Sequence, residues 1–135
     1  MIVLDASILI KWFLDEDDSH LALLFKDQLI NGEEDIVIPD LALYEIVNVL
    51  RFKTGINEKA VKAIIPTLFN LGIEIITPSK ELLEEALHLS FATGLSVYDC
   101  IYLALANELE TFLITADKLM VKCAQPLSKV KLLSA

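Results

Sequence analysis

The sequence is poor in the residues that mark fibrous, low-complexity and disulfide-linked chains. Its 135 residues include four Gly, four Pro and two Cys. So little Gly and Pro excludes a collagen-like or low-complexity chain. The two cysteines, Cys100 and Cys123, form no CxxC pair and have no pair of histidines nearby. We therefore expect two buried, reduced thiols, and neither a disulfide framework nor a zinc site.

Long apolar runs are also lacking, although 55% of the residues are apolar and the mean hydropathy is +0.57. The longest stretches without a charged residue, 86–98 and 63–73, are shorter than the roughly 18–20 residues that a membrane span needs. The first residues contain no basic segment of the kind that begins a signal peptide. We therefore expect a cytoplasmic chain with no membrane partner, whose surplus apolar surface lies in a core and at a protein interface.

Basic residues are outnumbered: 20 Asp and Glu face 11 Lys and Arg, and the formal net charge is −9. Domains that bind nucleic acid usually have a basic surface. Two interpretations remain open. Either the partner is not a nucleic acid, or some of the acids bind a metal ion that reverses the local charge.

Short apolar runs alternate with helical patterns along the whole chain. Such runs are typical of strands in a parallel sheet that is covered on both faces, and they occupy residues 2–4, 36–38, 73–76, 112–114 and, more weakly, 130–133. The alternation predicts one α/β domain over residues 1–135. We expect three layers, with a mostly parallel sheet of four to five strands flanked by about seven helices.

Residues that favour helix starts precede each helical pattern. They are Ser7, Asp17 or Asp18, Asp40, Asn57, Ser79, Ser96 and Thr115. The pattern that begins at Asn57 contains Pro66, which lacks an N–H and clashes with the preceding turn. We therefore expect that helix to kink or break at Pro66.

Four acidic residues follow the predicted strands. Asp5 ends the first strand, Asp117 follows the fourth, Asp99 begins the helix after Ser96, and Glu45 lies in the second turn of the helix after the second strand. Ligands of parallel α/β sheets bind beyond the carboxyl ends of the strands. We therefore expect the four carboxylates to meet at one edge of the sheet.

Three of these acids also have a purely structural interpretation. Asp99 completes an S-x-x-D capping box with Ser96. Asp117 lies early in a helix, where a negative charge complements the helix dipole. Asp5 lies where a turn or cap residue is expected before Ser7.

Glu45 is harder to explain structurally, because its helix is apolar almost all round and is therefore predicted to be buried. Asn48 lies three residues later, on the same face. A buried ionised Glu is costly unless it is paired or bound to a metal. An ion pair with Arg51 or Lys11 is the structural alternative.

Converging carboxylates repel one another, and without compensation some would keep their protons at pH 7. A hard divalent cation such as Mg²⁺ or Mn²⁺ removes the repulsion, since it prefers oxygen ligands. One or two such ions activate water and stabilise a leaving oxygen in phosphoryl chemistry. The pattern therefore favours a metal-dependent phosphodiester hydrolase.

The ordered motifs resemble the PIN-domain family, and within it the VapC-type toxin ribonucleases of toxin–antitoxin pairs. The resemblance covers nearly the whole chain and rests on five segments, Val3–Ser7, Glu45–Leu50, Ser96–Asp99, Ile101–Ala106 and Thr115–Asp117. It implies an endoribonuclease that depends on one or two Mg²⁺ or Mn²⁺ ions and cleaves RNA phosphodiester bonds. It also implies a homodimer and a cognate antitoxin that holds the enzyme inactive.

The resemblance assigns roles to individual residues. The family's four catalytic, metal-binding acids match Asp5, Glu45, Asp99 and Asp117, and its polar supports match Ser7, Asn48 and Thr115. Our candidates for phosphate contacts are Lys11, Arg51 and Lys118.

Alternatives remain at this stage. A phosphatase of the haloacid-dehalogenase type, with Asp5 as nucleophile, needs a second acid where Ser7 stands. A phosphate-accepting receiver domain needs clustered acids after its first strand and a lysine at the end of its last strand. Within the same fold, the alternatives are an inert binding module and a nuclease that acts on structured DNA or on ribosomal RNA precursors.

Overall fold

The computed structural model describes residues 1–53 and 55–134. Within these residues five strands form one sheet in the order β3-β2-β1-β4-β5, and every neighbouring pair is parallel. The strands are β1 Ile2–Leu4, β2 Ile36–Pro39, β3 Glu74–Ile76, β4 Leu113–Thr115 and β5 Val130–Leu132. The predicted parallel sheet is confirmed, including its weaker fifth strand.

Seven helices in the described residues complete a three-layer α/β fold, as predicted. They are α1 Ala6–Ile10, α2 Ser19–Ile30, α3 Leu41–Phe52, α4 Glu58–Asn70, α5 Lys80–Thr93, α6 Val97–Glu108 and α7 Lys118–Ala124. The helix α6 packs against β1, β2 and β4, and most of its residues are buried. It therefore brings its first turn, with Asp99, toward the centre of the sheet.

The three central strands are buried because helices cover both of their faces. In β1, Val3 pairs with Val37 of β2 on one side and with Leu113 of β4 on the other. The backbone N–H of Asp5 then donates to the carbonyl of Ile114 at 3.3 Å. Asp5 therefore lies at the carboxyl edge of the sheet, beside the end of β4.

Side-chain oxygens cap the helices predicted to begin at Asn57, Ser79 and Ser96. Two other starts differ from the prediction. The first helix begins after Asp5 rather than after Ser7, and ends at Ile10. The last begins after Asp117 rather than after Thr115. In both cases two capping residues lie close together in the sequence, and the carboxylate takes the cap.

The helix α4 continues through Pro66 to Asn70, so of the predicted kink or break, the break is wrong. Val61 and Leu68, on either side of Pro66, are both buried in the core. Their packing stabilises the helix on both sides of Pro66, which offsets the backbone hydrogen bond that proline cannot make.

The helix α3 is not buried all round, which corrects a second prediction. Ala42, Ile46 and Leu50 face the core, but Tyr44 is 69% and Phe52 is 72% exposed. The second apolar face of α3 lines an open cleft of about 940 Å³ against α4. Composition alone cannot distinguish a helix buried in the core from a helix that, like α3, leaves its second apolar face exposed in the described part of the chain.

Both cysteines are free thiols, as expected. Cys100 is buried as predicted, whereas Cys123 on α7 is partly exposed, so its predicted burial is wrong. Within the described residues, no single helix is long and apolar enough to cross a membrane. The helices α5 and α6 meet that test of length and composition only as a pair, bent by 116°.

Candidate active site

Asp5 is held at the end of β1 by three hydrogen bonds and is only 5% exposed. Its Oδ1 accepts from the backbone N–H of Ser7 at 3.0 Å and from the Ser7 hydroxyl. Its Oδ2 accepts from the Thr115 hydroxyl at 2.5 Å. Both carboxylate oxygens are therefore oriented by neighbouring groups.

The two hydroxyls are themselves held by the turn between β4 and α7. The backbone N–H of Ala116 donates to Ser7 Oγ at 3.0 Å, and that of Asp117 donates to Thr115 Oγ1 at 3.0 Å. Each hydroxyl thus accepts from the turn and donates to Asp5. Ser7 and Thr115, predicted as polar supports, both contact Asp5 and connect it to the start of α7.

Asp117 is the N-cap of α7. Its Oδ1 accepts from the backbone N–H groups of Leu119 at 2.9 Å and Met120 at 3.2 Å. The side chain is exposed. Because the cap uses Oδ1 alone, Oδ2 can face a ligand at the edge of the sheet.

Asp99 lies in the first turn of α6, where its backbone N–H donates to Ser96 Oγ at 3.1 Å. The capping interaction predicted from Ser96 therefore exists. Burial raises the pKa of the Asp99 carboxyl, and the negative charge of Asp117 raises it further, whereas a hydrogen bond with Ser96 lowers it. Asp99 and Asp117 are thus close enough to repel.

Glu45 is half-buried on α3, and its Oε1 accepts from the hydroxyl of Tyr102 at 2.5 Å. Burial raises the Glu45 pKa, Tyr102 lowers it, and the charge of Asp99 raises it. Among the residues that the structure describes, Glu45 forms no ion pair with Arg51 or Lys11, which were the structural alternatives. Lys11 instead contacts Glu16 and the carbonyl of Asp17.

Tyr102 is the contact that the sequence reasoning missed. It is only 2% exposed and lies on α6 three residues after Asp99, so the two share a face of the helix. That spacing was the available signal. Its partner Glu45 is 57 residues away in sequence, on another helix.

The other predicted residues lie in two places. Asn48 and Arg51 are exposed and line the cleft between α3 and α4. Lys118 is exposed beside Asp117 at the start of α7. Lys11, partly buried, is bound by the loop before α2.

Electrostatic repulsion connects three of the four acids. Asp117 acts on Asp99, and Asp99 acts on Glu45. Burial raises the pKa of Asp5 to about 6, although hydrogen bonds from Ser7, Thr115 and the backbone oppose the shift. The ion pairs in residues 1–53 and 55–134 involve none of the four. The edge is therefore an acidic surface whose charge is uncompensated.

These carboxylates are the oxygen donors that Mg²⁺ and Mn²⁺ prefer. In the described part of the chain, no three Asp, Glu, His or Cys side chains lie close enough to enclose an ion by themselves. Magnesium is usually bound by one or two carboxylates together with waters and substrate oxygens. The residues present therefore fit a metal that is shared with its substrate rather than enclosed in a cage.

The architecture defines a class of α/β domains with an acidic site at the carboxyl edge of a parallel sheet. The family model described as the PIN domain matches residues 2–125. The chain belongs to the PIN domain family.

Solved structures show the same fold. A toxin–antitoxin complex from Klebsiella pneumoniae is 20% identical, with a TM-score of 0.71 over 97% of this chain and 96% of that one. FitAcB from Neisseria gonorrhoeae is 15% identical, with a TM-score of 0.69 over 99% and 97%. VapC20 from Mycobacterium tuberculosis, described as a sarcin–ricin loop cleaving toxin, is 13% identical, with a TM-score of 0.71 over 90% and 94%. A search of curated proteins finds no match.

Proposed function

We propose that this chain is a Mg²⁺- or Mn²⁺-dependent endoribonuclease and the toxin of a toxin–antitoxin pair. The observation that supports this most directly is the buried Asp5, oriented by two hydroxyls beside further carboxylates without a neutralising cation among the described residues. Membership of the PIN family adds to it. So does the likeness to a toxin described as cleaving the sarcin–ricin loop.

In this proposal Asp5 and Asp99 bind the ion directly, and Asp117 and Glu45 bind it directly or through water. A bound divalent ion supplies Lewis acidity and lowers the pKa of water toward neutrality. Ser7 and Thr115 restrict how the Asp5 carboxylate can turn, since each donates to one of its oxygens. Oδ1 accepts two hydrogen bonds from Ser7, whereas Oδ2 accepts one from Thr115 and keeps a second lone pair for a ligand.

The proposal assigns phosphate binding to Lys118 and Arg51, which are exposed near the ends of α7 and α3. Lys11 is a weaker candidate than the sequence suggested, because the loop before α2 already binds its amino group. Asn48 is exposed at the cleft, where it can contact a substrate or orient water.

The first test is Mn²⁺ binding by calorimetry at neutral pH. The wild-type chain is compared with Asp5→Asn and Asp99→Asn, and with Asp27→Asn as a control, since Asp27 is exposed on α2. We expect millimolar or tighter binding that both site variants lose while they remain folded, and that the control keeps. A folded wild-type chain that does not bind at about 10 mM, weaker than most hard-cation sites, would leave an inert binding module.

The second test is cleavage of a pool of structured RNAs with Mg²⁺ or Mn²⁺ present. We expect cleavage by the wild-type chain and by Asp27→Asn, and none by Asp99→Asn. Cleavage that survives in a folded Asp99→Asn would contradict the assignment. Cleavage of structured DNA instead of RNA would favour the structure-specific nuclease, and trimming of a ribosomal RNA precursor would favour a maturation enzyme.

We also propose a homodimer and a cognate antitoxin, both acting in the cytoplasm. Large apolar side chains stand exposed on several helices, among them Phe91 at 85%, Phe52 at 72% and Phe69 at 60%. Such surface is typical of protein interfaces. One similar chain comes from a toxin–antitoxin complex from Klebsiella pneumoniae, and another comes from a structure of VapBC2 from Rickettsia felis bound to a promoter DNA fragment. Light scattering tests the dimer, for which we expect about twice the 15.0 kDa mass of the chain.

A further inference from the structure

The hydroxyl of Tyr102 lies beside the candidate site although its ring belongs to the core. Tyr102 is 2% exposed on α6, the helix that packs against β1 and β2. A buried phenol needs a partner for its O–H. Among the described residues no buried side-chain oxygen or nitrogen lacks a hydrogen-bond partner, and the Tyr102 hydroxyl is no exception. The identity of its partner indicates the role of this hydroxyl.

One hydroxyl joins two parts of the site. It donates to Glu45 Oε1 at 2.5 Å. The negative charge of Asp5 raises the pKa of the same phenol, and the backbone N–H of Ala6 lowers it. Tyr102 therefore lies between the carboxylate on α3 and the end of β1.

Glu45 needs such a contact to adopt one conformation. It is half-buried, the negative charge of Asp99 acts on it, and it forms no ion pair within the described chain. A glutamate side chain has several rotatable bonds, and fixing them costs conformational entropy. A hydrogen bond to an ionised acceptor is stronger than one between neutral groups, so Tyr102 favours one arrangement and leaves Oε2 free.

The choice of donor also matters. A lysine or arginine at this place would neutralise Glu45 and compete with a metal ion. A neutral hydroxyl orients the carboxylate and leaves its charge in place, as outer hydrogen-bond partners of metal ligands commonly do.

We propose that Tyr102 is a positioning residue, which holds Glu45 so that its second oxygen is available to a divalent ion at the edge of the sheet. This inference rests on the proposed metal-dependent function. Tyr102 acts through Glu45 and does not itself contact the substrate.

The experiment is Mn²⁺ calorimetry on the full chain with Tyr102→Phe, which removes only the hydroxyl. The matched control is Tyr98→Phe, because Tyr98 is on the same helix but 65% exposed. We expect Mn²⁺ affinity to fall about 10- to 100-fold in Tyr102→Phe, the usual effect of losing an outer partner of a metal ligand, and to stay unchanged in Tyr98→Phe. Circular dichroism checks that both variants are folded.

A second background separates positioning from a general structural effect. In Glu45→Ala the carboxylate is already gone, so adding Tyr102→Phe should cause no further change in Mn²⁺ affinity. A further loss of the same size in the double variant would show that Tyr102 acts by another route, and the proposal would be wrong.

Failure of this inference and failure of the proposed function give different results. If the folded wild-type chain does not bind Mn²⁺, both fall together. If the wild type binds, Asp99→Asn does not, and Tyr102→Phe binds like the wild type, only the inference about Tyr102 is overturned.

A measurement on the unaltered fold covers the case in which Tyr102→Phe does not fold. The chain is labelled with 3-fluorotyrosine, and the three tyrosine resonances are followed by fluorine NMR during a Mg²⁺ titration. We expect the Tyr102 resonance to shift with the midpoint of metal binding. A Tyr102 resonance that stays in place while Mg²⁺ binds would overturn the proposal.

Discussion

At the scale of single residues, burial and hydrogen bonding act on Asp5 in opposite directions. Burial raises its pKa to about 6, and the bonds from Ser7 and Thr115 reduce that rise. A carboxyl whose pKa is raised in the folded chain stabilises the fold only while it is protonated. Its contribution is complete below the ordinary value of 3.8 and is lost as the pH rises through about 6.

We predict that Asp5→Asn removes this contribution. In metal-free buffer with a chelator, the wild-type free energy of unfolding should lose about 3 kcal/mol from Asp5 between about pH 3 and pH 7. Urea unfolding of both chains across this range measures the difference between them, so titration of the other acids largely cancels. A difference that does not change with pH would mean that Asp5 titrates normally.

Thr115 gives a second prediction at this scale. Thr115→Val removes the hydroxyl that donates to Asp5 and accepts from the backbone of Asp117. We expect a loss of about 1–3 kcal/mol in the free energy of unfolding, since two polar groups lose their partner. Thr67→Val, at an exposed position on α4, is the control and should change little. Equal losses in the two variants would contradict the buried network.

At the scale of secondary structure, the sequence predicts the strands within one residue at each end. Short apolar runs leave little choice of boundary. The helix starts were harder to predict where two possible capping residues lie close together, as at Asp5 and Ser7. In the structure Asp5 also accepts a hydrogen bond from Thr115, which is 110 residues away in sequence. A contact between residues so far apart cannot be predicted from the residues around Asp5.

The junction between α5 and α6 gives a prediction about an element end. Gly94 ends α5 with a φ of 79°, and a Cβ there would meet nothing within 4 Å. Gly94→Ala therefore loses stability through backbone conformation alone, by about 1 kcal/mol. Gly94→Asn should lose less, because asparagine tolerates this conformation better. Thermal unfolding compares the two, and an equal loss would point to a steric cause.

At the scale of the whole molecule, the parallel strands allow the sequence to predict that the four acids lie toward one edge of the sheet. The effects of Asp117 on the pKa of Asp99, and of Asp99 on the pKa of Glu45, agree with this for three of them. Their roles as metal ligands stay predictions. Tyr102 could not be assigned from sequence, because its contact with Glu45 depends on how α6 lies against α3.

The net charge of −9 predicts a weak response of catalysis to salt. Only Lys118 and Arg51 are assigned to phosphate contacts, so the logarithm of kcat/KM for RNA cleavage should fall only gently with the logarithm of salt concentration. Lys118→Ala should reduce that slope by about 0.7, the value for one phosphate contact with a single strand. Lys59→Ala, at an exposed position on α4, should leave the slope unchanged. Identical slopes in all three chains would remove Lys118 from the phosphate contacts.

The bond between Asp5 and Thr115 also bears on the timing of synthesis. Asp5 directly follows β1, and its partner Thr115 comes 110 residues later, at the end of β4. Chains are made from the N-terminus, and contacts distant in sequence form only once both partners exist. A ribosome that has not yet translated β4 therefore holds an unfinished site. A chain that cleaves RNA would thus acquire that ability only after β4 had been made.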